Sequence, residues 1–256
     1  MNALLLAAGL GTRLRPLTDT VPKCMVPIQG RPLLAYWLEL LLQWGAAERV
    51  IINTHYLPEP VRQLVSGSEH KREIDLVHED RLLGTAGTLI ANLPALRGND
   101  ALVAHADNLT LFDAENFLAR HHARPPSCIM TMMTFDTDAP QSCGIVSLSP
   151  DGVVESFHEK VAHPPGRLAN AAVYLFSPES LDMIADLAQT AKQDEPVFDI
   201  SQHVIPRFLG RIFTFHNDHY HRDIGNPQAL STAQTEFPSL YTRFAASMKD
   251  RESHRS

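Results

Sequence analysis

The chain has 256 residues, of which 44% are hydrophobic, and a formal net charge of −7 at pH 7. This length allows one large α/β domain or two small ones, and we expect one. The negative net charge argues against nucleic acid as a general partner, and the longest apolar runs are too short to predict a membrane span.

The first predicted element is a buried strand over residues 2–8, and two glycines follow it. Gly9 and Gly11 allow positive φ and a close approach of the backbone, so that peptide N–H groups can point at phosphate oxygens. Arg13 and Lys23 then add positive charge. The first 31 residues hold four cationic side chains and one carboxylate, a net charge of +3. This stretch therefore predicts a binding site for a polyanion.

Helices and strands alternate after a loop over residues 9–31. Pro32 begins a helix whose apolar stripe is stopped by Gly45. The next predicted elements are a strand over residues 50–53, a helix over 60–65 and a strand over 74–77. This order predicts parallel strands with right-handed crossovers and a doubly wound, Rossmann-like α/β sheet, whose ligand lies beyond the carboxyl ends of the strands.

The middle of the chain continues this pattern. The elements expected here are a helical stretch that follows residues 84–87 and ends near residue 96, a strand over 101–105, a helix over 113–121 and a strand over 128–135. Asp107 and Asn108 follow the strand over 101–105, so we expect them at the same sheet edge as the first loop. Asp113 is suited to cap the helix that it begins.

The pattern changes after residue 140. Two short strands, over residues 144–148 and 153–157, flank the turn signal Asp151-Gly152, and a further strand covers 171–176. These residues predict an antiparallel layer attached to the first half. The elements expected later are a helix over residues 178–187, a helix over 199–208, a strand over 211–215 with a hairpin turn at Asn217-Asp218, and a helix that begins near Pro227.

The domain organisation that we expect is one domain over residues 1–237 and a C-terminal helix or frayed tail over residues 238–256. No internal repeat is present, and in particular no hexapeptide β-helix pattern. Residues 1–9 lack a basic region, so they do not predict a signal peptide. The cysteines are far apart and form no Cys-x-x-Cys pair, which predicts a reducing, cytoplasmic location.

Two familiar phosphate motifs do not fit the glycine loop. A dinucleotide fingerprint requires a third glycine where the chain has Leu14, and a P-loop requires Gly-Lys-Ser/Thr where it has Gly11-Thr12-Arg13. The pattern present is Gly-x-Gly-Thr-Arg-Leu-x-Pro-Leu-Thr, followed by Pro22-Lys23. It closely resembles the signature of the sugar-1-phosphate nucleotidyltransferases. The alternative interpretation is a glycine turn with solvated charges after a buried strand.

The resemblance implies an enzyme in which a sugar-1-phosphate oxygen attacks the α-phosphorus of a nucleoside triphosphate and releases pyrophosphate. Such transfer depends on alignment of two polyanions and on neutralisation of developing charge. By resemblance, Arg13 reaches the leaving pyrophosphate and Lys23 bridges the reacting phosphates. Asp107 and Asp223 match the family's Mg²⁺ ligands, and Mg²⁺ is the implied cofactor. A strand-end aspartate also commonly serves as a turn or cap residue.

The resemblance also implies the residues that bind each substrate. The nucleotide site comprises Leu6, Ala8, Gly9, Gly11, Thr12, Arg13, Glu79, Gly84, Thr85 and Gly87. The sugar phosphate site comprises Gly144, Glu159, Lys160 and Asn170. Two departures from the family pattern are noted. The chain has Asp107-Asn108 where many relatives have Asp-x-Asp or Asp-x-Leu, so the second position is left out of the metal assignment, and Ala172 stands where glycine is usual after Asn-Ala.

Several alternatives remain open at the level of sequence. The segment Leu83 to Gly87 is most similar to mannose-type guanylyltransferases, which act on mannose- or heptose-1-phosphate, while uridylyl-, thymidylyl- and cytidylyltransferases share the other motifs. A non-catalytic sensor of nucleotides or sugar phosphates on the same fold is a different class of function, and a Rossmann oxidoreductase is a third. A homo-oligomer is compatible with the sequence. Four residues suggest a zinc site without a standard spacing: His216, Asp218, His219 and His221.

Overall fold

The computed structural model describes residues 1–190 and 197–253. Its strands are β1 (Asn2–Leu6), β2 (Pro27–Ile28), β3 (Arg31–Pro32), β4 (Arg49–Thr54), β5 (Ile74–His78), β6 (Ala101–His105), β7 (Asn108–Leu111), β8 (Met130–Asp136), β9 (Gly144–Leu148), β10 (Val154–Glu159), β11 (Leu168–Phe176), β12 (Ile212–His216) and β13 (Tyr220–Asp223). Its α-helices are α1 (Leu33–Leu38), α2 (Pro58–Ser66), α3 (Thr85–Ala91), α4 (Leu93–Leu96), α5 (Ala114–His122), α6 (Pro178–Thr190) and α7 (Pro227–Ser253).

One sheet of nine described strands forms the centre of the molecule. Strands β5, β4, β1 and β6 are adjacent and parallel in that order. β11 pairs antiparallel with β6 and also with β8 and β9, and it joins the parallel half to the β9–β10 hairpin. The predicted α/β class is therefore confirmed, with a mostly parallel sheet and an added antiparallel part.

Strand β1 is buried on both faces of the sheet. Ala3 and Leu5 point into one apolar core with α1 and α7, while Leu4 and Leu6 point into a second core with α3 and α6. Successive side chains of a strand alternate between faces, so a continuous apolar run requires helices on both sides. The apolar sequence of β1 thus explains the doubly wound arrangement.

Several helices differ from their predicted extents. The helical stretch predicted to end near residue 96 is divided at Asn92, because Pro94 lies in the first turn of α4 and cannot continue the hydrogen bonding of α3. The helix from Pro32 ends as α1 at Leu38 and continues as a π-helical turn, Glu39–Gln43. The helix predicted over 199–208 is a π-turn, Ile200–Val204, followed by a 3₁₀ turn.

The hairpin predicted at Asn217-Asp218 is wrong. Strand β12 is apolar and pairs parallel with β8 inside the large sheet. The more polar β13 pairs antiparallel with β7, and the two form a separate ribbon. The turn residues therefore connect two sheets. The pairing follows the burial of each strand and not the local turn signal.

The C-terminal helix α7 is continuous through residue 237, where a boundary was expected. Phe244 and Met248 lie beyond that position, and both are buried in the core. Tyr241 Oη donates to Glu39 Oε2 over 2.7 Å, and Arg31 Nη1 donates to Tyr241 Oη over 2.9 Å. These contacts connect α7 to residues on either side of α1, Arg31 and Glu39. Within the described residues, no helix has the length and apolar character needed to span a bilayer.

Candidate active site

The site lies where the carboxyl ends of β1, β4 and β6 meet. Strand β1 ends at Leu6, and the chain then enters the glycine loop. Asn53 at the end of β4 accepts a hydrogen bond from Ala7 N over 2.6 Å, which fixes the start of the loop. Gly11 has the positive φ of 62° that its residue type permits, and Thr18 Oγ1 donates to its carbonyl oxygen over 2.7 Å. The loop is thus folded back on itself at the edge of the sheet.

The ribbon of β7 and β13 brings the two expected metal ligands together. Asp223 pairs with Asn108 in this ribbon. The carboxylate of Asp223 therefore lies beside the carboxylate of Asp107, the residue before Asn108. Lys23 lies between them, with its Nζ 2.7 Å from Asp107 Oδ2 and 2.9 Å from Asp223 Oδ1. Its side chain is only 8% exposed. Three charges from distant parts of the chain therefore converge on one point.

Electrostatics favours the charged forms of Lys23 and Asp107. Burial acts to lower the pKa of Lys23, but the attraction of Asp107 and Asp223 outweighs it and the pKa is raised. Burial acts to raise the pKa of Asp107, and the charge of Lys23 outweighs it, so that this pKa is lowered. Two carboxylates facing one ammonium form a ready site for a cation.

Arg13 completes the cationic side of the loop. Its Nη2 lies 3.8 Å from Asp223 Oδ2, and its side chain is 67% exposed. Gly225, which the sequence analysis did not assign to the site, makes this approach possible. A Cβ atom added there would lie 2.7 Å from Asp223 Oδ2 and 2.9 Å from Arg13 Nη2. A cavity of about 360 Å³ adjoins this group, and its lining includes Gly9, Gly11, Thr12, Arg13, Lys23 and Gly225.

A second cavity, of about 230 Å³, shares Gly9 and Asp107 with the first. Its lining includes the expected nucleotide residues Leu6, Ala8, Gly9, Glu79, Gly84 and Thr85, and we call it the nucleoside cavity. Glu79 is buried, and its Oε1 accepts hydrogen bonds from Asn53 Nδ2 over 2.9 Å and Thr88 Oγ1 over 2.5 Å. The sequence analysis missed Asn53 and Thr88, because single polar residues inside a strand or a helix carry no motif.

The loop over residues 84–87 is held by a segment that the sequence analysis did not assign to the site. Phe198 O accepts hydrogen bonds from Ala86 N over 2.8 Å and Gly87 N over 2.9 Å. Gly84 has a φ of 79°, and a Cβ atom added to it would lie 2.6 Å from Phe198 O. Glycine is therefore required there by both conformation and space.

A third cavity, of about 310 Å³, adjoins the group of three charges. Its lining includes all four expected sugar phosphate residues, Gly144, Glu159, Lys160 and Asn170, and we call it the sugar cavity. Asp107, Asp223 and Lys23 also line it, and so do Asp199, Ser201 and Gln202. The structure thus brings both sets of expected residues to the same central charges. Their roles stay predictions.

Ala172, the alanine that departs from the family pattern, has a φ of 52° in a bulge of β11. This left-handed conformation is unfavourable for alanine by about 1–2 kcal/mol. Its N–H donates to Asn170 Oδ1 over 2.9 Å, and Asn170 Nδ2 donates to Tyr174 Oη over 2.8 Å. The bulge therefore keeps the shape that glycine would give, and Asn170 is held by its neighbours.

The alternative metal and thiol assignments are not supported by the geometry. Among residues 1–190 and 197–253, no three His, Cys, Asp or Glu side chains are grouped as metal ligands. His216 belongs to the large sheet, whereas His221 belongs to the ribbon. Cys24 is fully buried, and burial raises the pKa of its thiol to about 12. A cysteine beside Lys23 could be expected to be reactive through a lowered pKa, but the burial of Cys24 makes it a packing residue.

Comparisons with known proteins identify relatives along most of the chain. The chain is 31% identical over 205 residues to glucose-1-phosphate thymidylyltransferase of Streptomyces griseus, which covers 80% of this chain and 57% of that protein. It is 30% identical over 233 residues to mannose-1-phosphate guanylyltransferase of Mycobacterium tuberculosis, which covers 89% and 62%. The chain spans about three fifths of the length of these curated relatives.

Solved structures share this fold. The crystal structure of HddC from Yersinia pseudotuberculosis has a TM-score of 0.75 at 24% identity, with 92% of this chain and 99% of that chain covered. A crystal structure of the same protein complexed with GMP-PN has a TM-score of 0.74. The family model described as nucleotidyl transferase matches residues 2–239. Since that match spans nearly the whole sequence, the chain belongs to the nucleotidyl transferase family.

Proposed function

We propose that the protein transfers a nucleoside monophosphate from a nucleoside triphosphate to a sugar 1-phosphate. A phosphate oxygen of the sugar phosphate forms a bond to the α-phosphorus, the bond between the α-phosphorus and the bridging oxygen breaks, and pyrophosphate leaves. We propose GTP as the nucleotide and mannose- or heptose-1-phosphate as the acceptor.

The observation that carries this proposal is the position of Lys23. Its ammonium lies in the wall shared by the sugar cavity and the cavity beside the glycine loop. A cation at this junction suits a reaction in which two phosphates must approach one another, because their repulsion is the main obstacle. The nucleoside cavity meets the sugar cavity at Asp107, so two substrates would adjoin at the same carboxylate.

The donor set at this junction fits Mg²⁺. Asp107 and Asp223 offer hard carboxylate oxygens, which already converge on the single positive charge of Lys23. With two protein ligands, a bound ion would keep open positions for phosphate oxygens. When bound, Mg²⁺ would neutralise charge on the transferring phosphoryl group. By resemblance, Lys23 would bridge the reacting phosphates.

The choice of guanine rests on similarity. The segment Leu83 to Gly87 is most similar to mannose-type guanylyltransferases, and one of the relatives at 30% identity bears that name. HddC, which shares the fold, has been solved with GMP-PN. The first-named relative at 31% identity is a thymidylyltransferase. The base is thus proposed on the combined similarity of one loop and of these proteins.

A screen of pyrophosphate release tests the proposal. Each of GTP, UTP, dTTP, CTP and ATP would be paired with a panel of sugar 1-phosphates that includes mannose, glucose and heptose, in the presence of Mg²⁺. We expect release only when both substrates are present, and fastest with GTP and mannose- or heptose-1-phosphate. Equal release from nucleotide and water alone would indicate a hydrolase. Tight binding of both substrates without any release would indicate a sensor.

A further inference from the structure

The side chain of Asn53 connects the start of the glycine loop with the carboxylate of Glu79. Its Oδ1 accepts a hydrogen bond from Ala7 N over 2.6 Å. Its Nδ2 donates to Glu79 Oε1 over 2.9 Å and to Thr88 Oγ1 over 3.3 Å. The residue is only 2% exposed, so these hydrogen bonds are shielded from solvent. A single buried amide therefore joins the end of β1, the residue after β5 and helix α3.

The direction of the Asn53 amide is determined by its partners. The N–H of Ala7 can only donate, so it requires the amide oxygen, while an ionised Glu79 can only accept, so it requires the amide nitrogen. Both hydrogens of Nδ2 are used, one by Glu79 and one by Thr88. Asn53 belongs to the wall of the nucleoside cavity, but its N–H groups are already taken. The residue thus acts on a bound nucleotide through its neighbours.

On the side of the glycine loop, Asn53 determines where β1 ends. Ala7 is the first residue after β1, and its N–H is bonded to a side chain, whereas a further residue of a parallel strand would donate to a backbone carbonyl. On the other side, Ala106 N donates to Leu6 O over 3.0 Å. From here the chain reaches Gly9, which lines both the nucleoside cavity and the cavity beside the glycine loop. The course of the loop therefore depends on the Asn53 oxygen.

On the other side, Asn53 orients the carboxylate of Glu79. The backbone of Glu79 is held separately, since its N–H donates to Thr54 O over 2.8 Å and its carbonyl oxygen lies 2.7 Å from His55 Nδ1. Its Oε1 takes the hydrogen bond from Asn53. Among the described residues, Oε2 is contacted only by Leu83 N, over 3.4 Å. Glu79 lines the nucleoside cavity, so Oε2 keeps its capacity to accept a hydrogen bond there.

We propose that Asn53 is a positioning residue that fixes the carboxylate at the base and the loop at the phosphates relative to each other. The inference rests on the proposed function, in which Glu79 contacts the base and the glycine loop holds the triphosphate. The two ends of the amide have separate effects. Nδ2 controls nucleotide affinity and the choice of base through Glu79, and Oδ1 controls turnover through the loop.

Two single variants separate these effects. Asn53→Asp keeps an oxygen for Ala7 N but loses the donor and places a second carboxylate beside Glu79. We expect its Kd and KM for GTP to rise about 10-fold to 100-fold, and its preference for GTP over ATP to fall, while kcat changes less than 3-fold. Asn53→Ala removes both ends and should also lower kcat about 10-fold to 100-fold, because a displaced loop misaligns the phosphates. The KM for the sugar 1-phosphate should change less than 3-fold in both.

Asn92→Asp is the matched control. Asn92 is also a buried asparagine, 8% exposed, and its Nδ2 donates to Thr88 O over 2.9 Å. It belongs to none of the described walls of the three cavities. We expect both Asp variants to lower the thermal midpoint, and Asn92→Asp to leave the KM for GTP and kcat unchanged. The control thus separates lost stability from lost positioning.

An exchange of amide and carboxylate between positions 53 and 79 is the decisive variant. In Glu79→Gln alone, Asn53 Nδ2 attracts the amide oxygen of the introduced Gln and turns its NH₂ group towards the base, which should weaken GTP binding. When Asn53→Asp is added, the introduced carboxylate accepts from that NH₂ group, and the amide oxygen returns to the position of Oε2. We expect the double variant to bind GTP at least about 5-fold more tightly than Glu79→Gln. Asn53→Asp therefore improves binding in one background and weakens it in the other.

Three results would overturn the inference. If Asn53→Asp weakens GTP binding equally in both backgrounds, Asn53 does not orient residue 79. If Asn53→Asp and Asn92→Asp have the same kinetics, Asn53 only supports the fold. If Asn53→Asp does not fold and the double variant does not recover a folded protein that binds GTP, the exchange has failed. Equilibrium binding measures the reversal without turnover, so a wild-type protein that binds GTP and releases no pyrophosphate would contradict only the proposed function.

Discussion

Lys23 Nζ lies 2.7 Å from Asp107 Oδ2, although 84 residues separate the two in sequence. This contact makes Lys23 the link between the glycine loop and the carboxylates at the centre of the site. In the proposed reaction, its charge would be most useful where both phosphates crowd one phosphorus, which is a property of the transition state.

We expect Lys23→Ala to lower turnover about 100-fold to 1,000-fold while nucleotide affinity falls much less. Steady-state kinetics and equilibrium binding of the nucleotide measure the two effects separately. Lys71→Ala, at an exposed position, is the control and should leave both unchanged. Nearly full turnover in Lys23→Ala would mean that the active site lies elsewhere.

Asp107 and Asp223 should act as one unit. We expect Asp107→Asn and Asp223→Asn each to lower turnover at least about 100-fold, and the double variant to be little worse than either, since residues that hold one ion are non-additive. Turnover should be measured over a range of magnesium concentrations, alongside the thermal midpoint of each variant. If instead the midpoint falls while turnover and magnesium dependence stay normal, the carboxylates only stabilise the ribbon.

The close contact at Gly84 predicts a difference between two otherwise similar substitutions. Gly84→Ala places a Cβ atom 2.6 Å from Phe198 O and should displace the segment that walls both cavities. Gly98 also has a positive φ, of 90°, but a Cβ atom there meets nothing within 4 Å. Both variants should lose about 1–3 kcal/mol of stability from backbone strain. Gly84→Ala should lose more than Gly98→Ala because of its close contact, and only Gly84→Ala should also raise the KM for both substrates. Thermal unfolding and kinetics on the two proteins test this, and equal kinetics would show that the segment adapts.

The positive φ of Ala172 predicts that replacing this alanine with glycine increases the stability of the protein. Because its φ of 52° is unfavourable for alanine, Ala172→Gly should remove strain of about 1–2 kcal/mol and lose part of that to the greater freedom of the unfolded chain. We expect a net gain of about 0.5–1 kcal/mol in chemical denaturation. Ala245→Gly, within α7, should show the opposite sign, with a loss of about 0.5–1 kcal/mol. A loss at Ala172 as large as that at Ala245 would contradict the strain.

Asp100 predicts a dependence of stability on pH. The pKa of Asp100 is lowered from 3.8 to about 2, and the interaction of its carboxylate with the ring of His121 contributes most to this shift. A folded-state pKa below the unfolded value gives stability that is complete above about pH 4 and is lost as the pH falls towards 2. Asp100→Asn should therefore be less stable than the wild type by on the order of 1 kcal/mol at pH 7, since solvent screens part of the interaction, and by a smaller amount at pH 3. Urea denaturation at the two pH values measures this difference, and Asp151→Asn should show none.

The sequence predicted the parts of the fold and the site that depend on local pattern. The apolar run of β1, the glycine loop and the strand before Asp107 each carry their own signal, and the doubly wound sheet follows from their order. The cap at Asp113 is confirmed as well, since its carboxylate accepts a hydrogen bond from Asn116 N over 3.0 Å.

The parts that sequence reasoning missed depend on contacts between distant residues. Asp199 precedes a helical turn, so local rules assign it a cap, whereas its carboxylate is bonded to Thr85, 114 residues away. Asn217-Asp218 has the composition of a hairpin turn, but the flanking strands find better partners in different sheets. Turn preferences amount to small energies, which the burial of whole strands overrides.

The origin of the central charges has a consequence for biosynthesis. Lys23 comes from the beginning of the chain, Asp107 from the middle and Asp223 from near the end, where the contacts of Tyr241 with Arg31 and Glu39 close the structure. A nascent chain on the ribosome therefore lacks the second carboxylate until Asp223 has been synthesised. A product that terminates before Asp223 would hold the glycine loop and Lys23 beside only one of the two carboxylates. Synthesis beyond Asp223 is thus a condition for assembly of the candidate site.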